Sequence, residues 1–423
     1  MIKTGQNRKL AEEAISRCRI VSSFSEDHGQ TRRTFLSPPM RDCYREVTGW
    51  MESLKMPVRL DAAGNLRGFY SAAQPHAPRL LLGSHLDTVP NAGAYDGVLG
   101  VAIAVSLLEA LEGRRLPFAI EVAGFSDEEG VRFGVPFIGS RALVGRVDEE
   151  LLAVHDQQGV SLRGAIEDFG LNPAEMPQAG MGGDYFAYVE FHIEQGPVLE
   201  DLGKALAAVD SIAGQSRGEL TFLGRSNHAG TTPMHLRHDA VAAAADWILS
   251  VERIAQRVRG LVATVGKIEA QPGAANVIAG ETRLTLDVRH ATDEIRIGAV
   301  KDLVMQAQEI ARSRRLTARW NVLLEQPAVP MDPFLVAEIE RAIAAAGCAS
   351  HRMMSGAGHD AMIMAEKIPS AMVFLRTPDG ISHDPAESVA VEDVEKAIEC
   401  GLHLLDQLAA SPAAPSSAIR ERM

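Results

Sequence analysis

The run GVLGVAIAVSLLEALEG, residues 97–113, is apolar around nearly the whole circumference of a helix. It stands between two apolar strand-like runs, RLLLGSH and LPFAIEVAGF. A helix without a polar face must be buried, and one flanked by buried strands must lie on a sheet. The neighbouring sequence continues the alternation, with LRGFYSA a strand before it and FAYVEFHIE a partly alternating strand after it. The fold class expected is therefore α/β: a sheet covered by helices, with ligands at the carboxyl ends of its strands.

From about residue 212 the pattern changes. A strand (GELTFLG) leads to a long helix (HDAVAAAADWILSVERIAQRV). Two strands (LVATVGKIEA and TRLTLDVRH), a second helix (DEIRIGAVKDLVMQAQEIARSRR) and a last strand (LTARWNVLLE) follow. The order βαββαβ is the split unit of ferredoxin-like folds. After PAVPMDP the first pattern resumes, with SAMVFLR a buried strand and VEDVEKAIECGLHLLDQLA a closing amphipathic helix. The reading is a discontinuous catalytic domain, 1–211 and 329–423, with 212–328 inserted into it. A chain of 423 residues is too long for one ordinary core, which agrees.

Composition removes several classes of partner. A formal net charge of −13 argues against nucleic acid and anionic membrane surfaces, since both select for basic patches. No stretch reaches the ~20 apolar residues of a membrane span, and MIKTGQNRKLAEEAISRCRI lacks the apolar core of a secretory signal. A cytoplasmic location is expected. Cys18, Cys43, Cys348 and Cys400 are far apart, with no CxxC pair, and read as free thiols. The terminal ASPAAPSSAIRERM is rich in Ala, Pro and Ser and is expected to fray.

The chemistry lies at the strand exits. FSDEEGVRF, directly after LPFAIEVAG, sets Asp127, Glu128 and Glu129 side by side. Adjacent like charges raise at least one pKa or demand a cation, although an acidic run alone also fits a solvated turn. GSHLDTVPNAGAYDG puts His85, Asp87 and Asp96 in the loop leaving another buried strand, with Gly93 and Gly97 to let it turn tightly. His85 with Asp87 fits a ligand histidine oriented by a carboxylate. His192 in EFHIEQGP and His383 in GISHDPAES occupy similar settings. One such histidine would be read as an ordinary satisfied residue; three, with several carboxylates, point to a metal. Imidazole and carboxylate without thiolate suit zinc, manganese, cobalt or nickel.

GSHLDTV with YDG, FSDEEGVRF, HIEQGPVLE, SNHAGTTPM, SGAGHDAM and GISHDPAE resemble, in order, the motifs of the two-metal amidohydrolases that cleave N-carbamoyl groups. This group comprises allantoate amidohydrolases, N-carbamoyl-L-amino acid hydrolases and beta-ureidopropionases, relatives of the aminoacylases. The resemblance covers roughly residues 80–390. It implies a mixed-sheet catalytic domain with an inserted ferredoxin-like lid that also dimerises. It implies two divalent metals per subunit, manganese first among the candidates: one held by His85, Asp96 and His192, the other by Asp96, Glu129 and His383, with Asp96 bridging. Glu128 would be the general base, taking a proton from the attacking water and returning it to the leaving nitrogen, and Asp87 would orient His85. Because neighbouring side chains on an extended segment point apart, Glu128 and Glu129 could serve these different tasks.

The resemblance also implies that Gln195, Asn276 and Arg289 grip a small ureido substrate. A guanidinium fork suits a carboxylate, though Arg289 in LDVRH equally fits a pair with a nearby acid. His228 in NHAGTTP resembles the lid histidine that crosses from a partner subunit to the oxyanion, which requires a homodimer. Gly356, Gly358 and His359 form a small-residue loop that either presents N–H groups to substrate or packs as a helix N-terminus on the sheet. Two local features depart from the common family pattern or stay without a role: Ala279 in NVIAG, where the family often has proline, and the arginines of TRRTFLSPPMRDCYREV, to which no contact is assigned.

The expected reaction is hydrolysis of one ureido C–N bond of allantoate, giving ureidoglycine, ammonia and carbon dioxide. N-carbamoyl-L-amino acid hydrolysis, or beta-ureidopropionase activity, is the alternative. A non-catalytic descendant with a binding role would be signalled by loss of a ligand or of Glu128, and all are present. GQSRG matches GxSxG, but a nucleophile elbow needs a following helix and a strand-like run follows instead. No GxGxxG follows the first strand, which disfavours a dinucleotide-binding dehydrogenase.

Overall fold

The computed structural model describes residues 5–411; the terminal run expected to fray lies, from 412 onward, outside the described residues. The chain forms two compact units. Residues up to Asp210 and from Met331 make one, and Ser211–Pro330 makes the other, against the 212–328 expected from the pattern change.

The first unit is built on a mixed sheet. Seven of its nine strands run in the order Val58–Leu60, Leu66–Tyr70, Ala119–Phe125, Arg79–His85, Tyr185–Ile193, Ser370–Leu375, Leu206–Ile212, and the short strands Val329–Pro330 and Arg352–Ser355 both pair with the last. The central four are parallel, and the flanking strands pair with them antiparallel. Every residue of Ala119–Phe125 and Ser370–Leu375 is buried, as strands covered on both faces require. The apolar helix Val98–Ala110 lies on strands Arg79–His85 and Tyr185–Ile193. It is itself covered by helices Gln6–Ser22 and Val391–Ala410, so all of its faces meet apolar neighbours. Arg33, for which the sequence offered no contact, is completely buried; it donates to the carbonyls of Leu86, Val21 and Phe24 and so pins the loop that leaves His85. All four cysteines are free, and no described helix is long and apolar enough to cross a membrane.

The second unit has its own sheet and core. Strands Gly214–Leu223, Ile268–Gln271, Glu281–His290 and Thr317–Gln326 are the first to fourth of the βαββαβ order, and all pair antiparallel. Their spatial order is fourth, first, third, second. Glu281–His290 alternates between buried and part-exposed residues, so one face of the sheet is left for helices Ala240–Arg257 and Asp293–Ser313. Between them Trp247 is fully buried, with its indole N–H on the Leu303 carbonyl at 2.9 Å. LVATVGKIEA is not one strand but two, Val262–Thr264 and Ile268–Gln271, parted around Gly266, and both pair with Glu281–His290. GQSRG lies inside strand Gly214–Leu223, and the Ser216 hydroxyl donates to Glu325 at 2.9 Å; there is no nucleophile elbow.

Candidate active site

The four parallel strands end side by side, and each delivers groups to one cluster. Arg79–His85 ends on His85. Ala119–Phe125 leads into Asp127, Glu128 and Glu129, Tyr185–Ile193 carries His192, and Ser370–Leu375 leads to His383. Asp96 arrives from the loop after His85. Gly97 directly after it has φ +68°, and a Cβ there would stand 2.5 Å from the His85 ring, so glycine is required twice over. Gly93 has no such dihedral; what its missing side chain leaves room for is Glu387, whose Cβ would lie 2.4 Å from a Cβ at 93.

The two carboxylate oxygens of Asp96 face different groups. Oδ1 lies 3.3 Å from His85 Nε2 and 3.1 Å from His192 Nε2, while Oδ2 lies 3.2 Å from His383 Nε2. His383 Nε2 is also 3.5 Å from Glu129 Oε1. Ligand atoms of His85, Asp96 and His192 converge within 4.8 Å of one another, as do those of Asp96, Glu129 and His383. These are the two trios expected from the sequence, with Asp96 common to both.

Whether these residues fit metal ions is decided by their protons. His85 Nδ1 is 3.1 Å from the Asp87 carbonyl and His192 Nδ1 is 2.9 Å from the Ile193 carbonyl. A carbonyl can only accept, so each Nδ1 carries the proton and a neutral ring turns the Nε2 lone pair inward. The two Nε2 atoms are 3.4 Å apart, and Asp96 Oδ1 between them is buried without a hydrogen bond. Three electron-rich atoms facing one point is the donor set of a cation. Burial works against a charged His85 and a charged His192, but the carboxylates of Asp87 and Asp96 beside the one and of Asp96 beside the other raise both pKa values. Burial likewise opposes the ionised Asp96, yet the imidazoles of His192, His383 and His85 beside it hold it well below the usual carboxylate range.

The acidic run is not a solvated turn. Asp127 and Glu128 are buried, and burial, followed by the charge of Glu129, pushes Glu128 well above its ordinary value. Burial and then Asp96 raise Glu129 to about 7. Nor is the segment extended: the Asp87 carboxylate accepts the N–H groups of Glu128 at 2.9 Å and Glu129 at 3.1 Å, and this bends it. The two glutamates therefore converge on His85, within 4.8 Å of one another, instead of pointing apart. Asp87 thus has a larger task than expected, setting His85 through its carbonyl and the glutamates through its side chain.

Gln195, in the left-handed region at φ +59°, donates from Nε2 to Asp96 Oδ2 at 2.8 Å, and its Oε1 is buried without a hydrogen bond. His359 is buried edge-on against His192, with Nε2 on the Ser355 hydroxyl at 2.9 Å, and it precedes the short helix Asp360–Met364. A Cβ at Gly358 would come 2.9 Å from the Phe137 ring. His228, Asn276 and Arg289 belong to the other unit. His228 and Asn276 sit together, in and beside the two-stranded pairing of Asn227–His228 with Val277–Ile278, and Ala229 N–H donates to the Asn276 carbonyl at 3.0 Å. Arg289 is forked onto Asp287, Nε to Oδ1 at 2.9 Å and Nη2 to Oδ2 at 3.0 Å.

Two residues around the cluster escaped the sequence reading. Glu190 is fully buried and accepts from Ser84, the Tyr188 hydroxyl and Ala361 N–H. Its signal was an acid in the middle of a buried strand run, YVEFHI. Glu387 accepts from the N–H groups of Tyr95 and Asp96. It is the last residue of the motif GISHDPAE, which the sequence reading used only for His383.

A model of peptidase family M20/M25/M40 matches residues 81–407. The N-carbamoyl-L-amino acid amidohydrolase of Geobacillus stearothermophilus is 39% identical over 384 residues, 90% of this chain and 94% of that one. A probable allantoate deiminase of Oryza sativa subsp. japonica is 35% identical over 448 residues, 97% and 91% of the two chains. Among solved structures, an amidase of the hydantoinase/carbamoylase family from Burkholderia multivorans superposes with a TM-score of 0.89 at 29% identity, covering 95% of this chain and 98% of that one.

Proposed function

The chain belongs to peptidase family M20/M25/M40 and is a hydrolase of amide or ureido C–N bonds, and we propose that it removes a carbamoyl group from a small ureido compound bearing a carboxylate, allantoate first. The observation that carries this reading is Asp96, buried and divided between two trios of ligand atoms with Glu128 beside them. His85, Asp96 and His192 would hold one divalent ion and Asp96, Glu129 and His383 another, manganese being the first candidate. Bound there, the ions would bring a water's pKa towards neutrality and polarise the ureido carbonyl.

The chain's own groups do the rest. Glu128, held by Asp87 at its backbone, takes the proton of the attacking water and hands it to the departing nitrogen. Gln195 Oε1, lacking a partner, can accept a ureido N–H. Arg289 and Asn276 would hold the carboxylate, and backbone N–H groups at Gly358 and His359 the remaining polar atoms. His228 would reach the oxyanion from a partner subunit. A homodimer through the inserted unit, acting as a lid, is supported by its sheet, whose outer strand Thr317–Gln326 exposes Val322 (53%) and Leu323 (60%) along an open edge. The free cysteines support a cytoplasmic setting.

The 39% identity to an N-carbamoyl-L-amino acid amidohydrolase favours a second reading, the same chemistry on carbamoyl amino acids. Ammonia release from allantoate and from a set of N-carbamoyl-L-amino acids, using chelator-stripped protein with Mn(II) added back, decides between them. Turnover of allantoate alone supports the first reading and preference for the amino acids the second. Silence on both removes the proposal.

A further inference from the structure

Asp96 is the one residue shared by both ligand trios, so an error in its placement is felt by both at once. Its side chain is fixed through Oδ2, by Gln195 Nε2 at 2.8 Å and the Ser382 hydroxyl at 3.2 Å. Its backbone lies in a loop with no helix or strand to hold it. There Oε1 of Glu387 accepts two consecutive N–H groups, Tyr95 at 2.8 Å and Asp96 at 3.1 Å. Glu387 Oε2 lies 3.2 Å from the same Ser382 hydroxyl that reaches Asp96. Glu387 is buried and belongs to the turn that begins at His383, its own N–H donating to the Asp384 carbonyl at 3.0 Å. One side chain therefore ties the loop carrying Asp96 to the loop carrying His383. The chain keeps room for it, since a Cβ at Gly93 would stand 2.4 Å from Glu387 Cβ and 2.5 Å from its Oε1.

We propose that Glu387 is a positioning residue of the metal centre: by accepting the Tyr95 and Asp96 N–H groups it sets the bridging carboxylate in register with His383, and Gly93 is glycine to admit it. The inference rests on the two-metal reading above. Glu387 acts on the centre through the Tyr95 and Asp96 N–H groups and the Ser382 hydroxyl, so its loss acts through metal affinity and ligand geometry. The hydrogen-bond pattern also predicts which substitution is tolerated. In Glu387→Gln the amide oxygen can accept the same two N–H groups, while the amide NH2 faces Ser382 Oγ and leaves that hydroxyl's proton for Asp96.

The test is titration of the purified full-length protein with Mn(II) against a competing chelator, together with the visible spectrum of the Co(II)-loaded form. Wild type, Glu387→Gln, Glu387→Ala and Gly93→Ala are compared. Wild type is expected to bind two equivalents. Glu387→Ala and Gly93→Ala are expected to weaken binding roughly 10–100-fold and to shift the Co(II) bands, with Glu387→Gln within about threefold of wild type. Unchanged affinity and spectrum in Glu387→Ala would overturn the inference, as would a loss in Glu387→Gln equal to that in Glu387→Ala. If Glu387→Ala does not fold, Gly93→Ala decides, and wild-type affinity in that variant overturns it. A wild type that binds no metal overturns the two-metal reading itself and the inference with it, and this is seen before any variant is compared.

Discussion

Asp96 and Asp287 are both aspartates with pKa values below the ordinary range, yet the two units treat them oppositely. Asp287 is held down by cations that the chain supplies: against the opposing effect of burial, the Arg289 and Arg217 guanidinia hydrogen-bond it, with Gln215 a third donor. Its charge is answered locally. Asp96 is surrounded by imidazoles whose inward nitrogens can be lone pairs, and one of its oxygens has no hydrogen bond at all. A carboxylate answered by arginines needs nothing further, whereas one ringed by histidines and other acids is complete only with an added cation. The contrast separates a cluster with an unanswered carboxylate from a pair already neutral, in which Arg289 is engaged with Asp287.

The strongest way to break this comparison is to remove the cation. Chelation should abolish turnover, Mn(II) should restore it, and neither should move the unfolding of the inserted unit; activity in metal-free protein would end the two-metal reading. Next in size, Glu128→Gln should keep both metals while kcat falls roughly 10²–10⁴-fold, the usual span of general acid–base catalysis. Metal analysis beside steady-state kinetics checks it, and loss of metal would make Glu128 a ligand instead of the base. Trp247→Ala tests independence from the other side. Emptying that fully buried site and losing its bond to Leu303 should cost the inserted unit about 3–5 kcal/mol in denaturant unfolding, with Mn(II) affinity unchanged. The smallest effect sharpens the comparison. If Arg289 also holds substrate, Arg289→Ala should raise KM by about 10–100-fold, the worth of a charge-assisted hydrogen bond, and Asp287→Ala should not. Equal effects of the two would leave Arg289 as the partner of Asp287 alone.

What was legible in the sequence follows the range over which a signal acts. The apolar helix at 98–110, the strand runs ending at His85, Ile193 and Phe125, and the βαββαβ order of the insertion are written in local periodicity, and the structure has them. The ligand trios could be named because ordered motifs place histidines and acids at strand exits. The geometry of Glu128 and Glu129 could not. Alternation predicts divergence, but Asp87, forty residues earlier, takes both amides and bends the segment. Local sequence makes Gly93 a turn glycine, because its true neighbour, Glu387, is almost three hundred residues away. Arg33 was opaque for the same reason: three carbonyls from two other segments meet around it, and no pattern in TRRTF announces a buried guanidinium.

The place where the chain leaves and re-enters the first unit also has a genetic meaning. The N–H of Met331 donates to the carbonyl of Asp210 at 2.9 Å, so the two ends of the excursion Ser211–Pro330 meet as neighbours in one ladder. A segment whose ends already touch can be lengthened, exchanged or lost without rethreading what surrounds it. Recombination at these two codons would give a lineage new second units while the first inherits its ligand cluster intact.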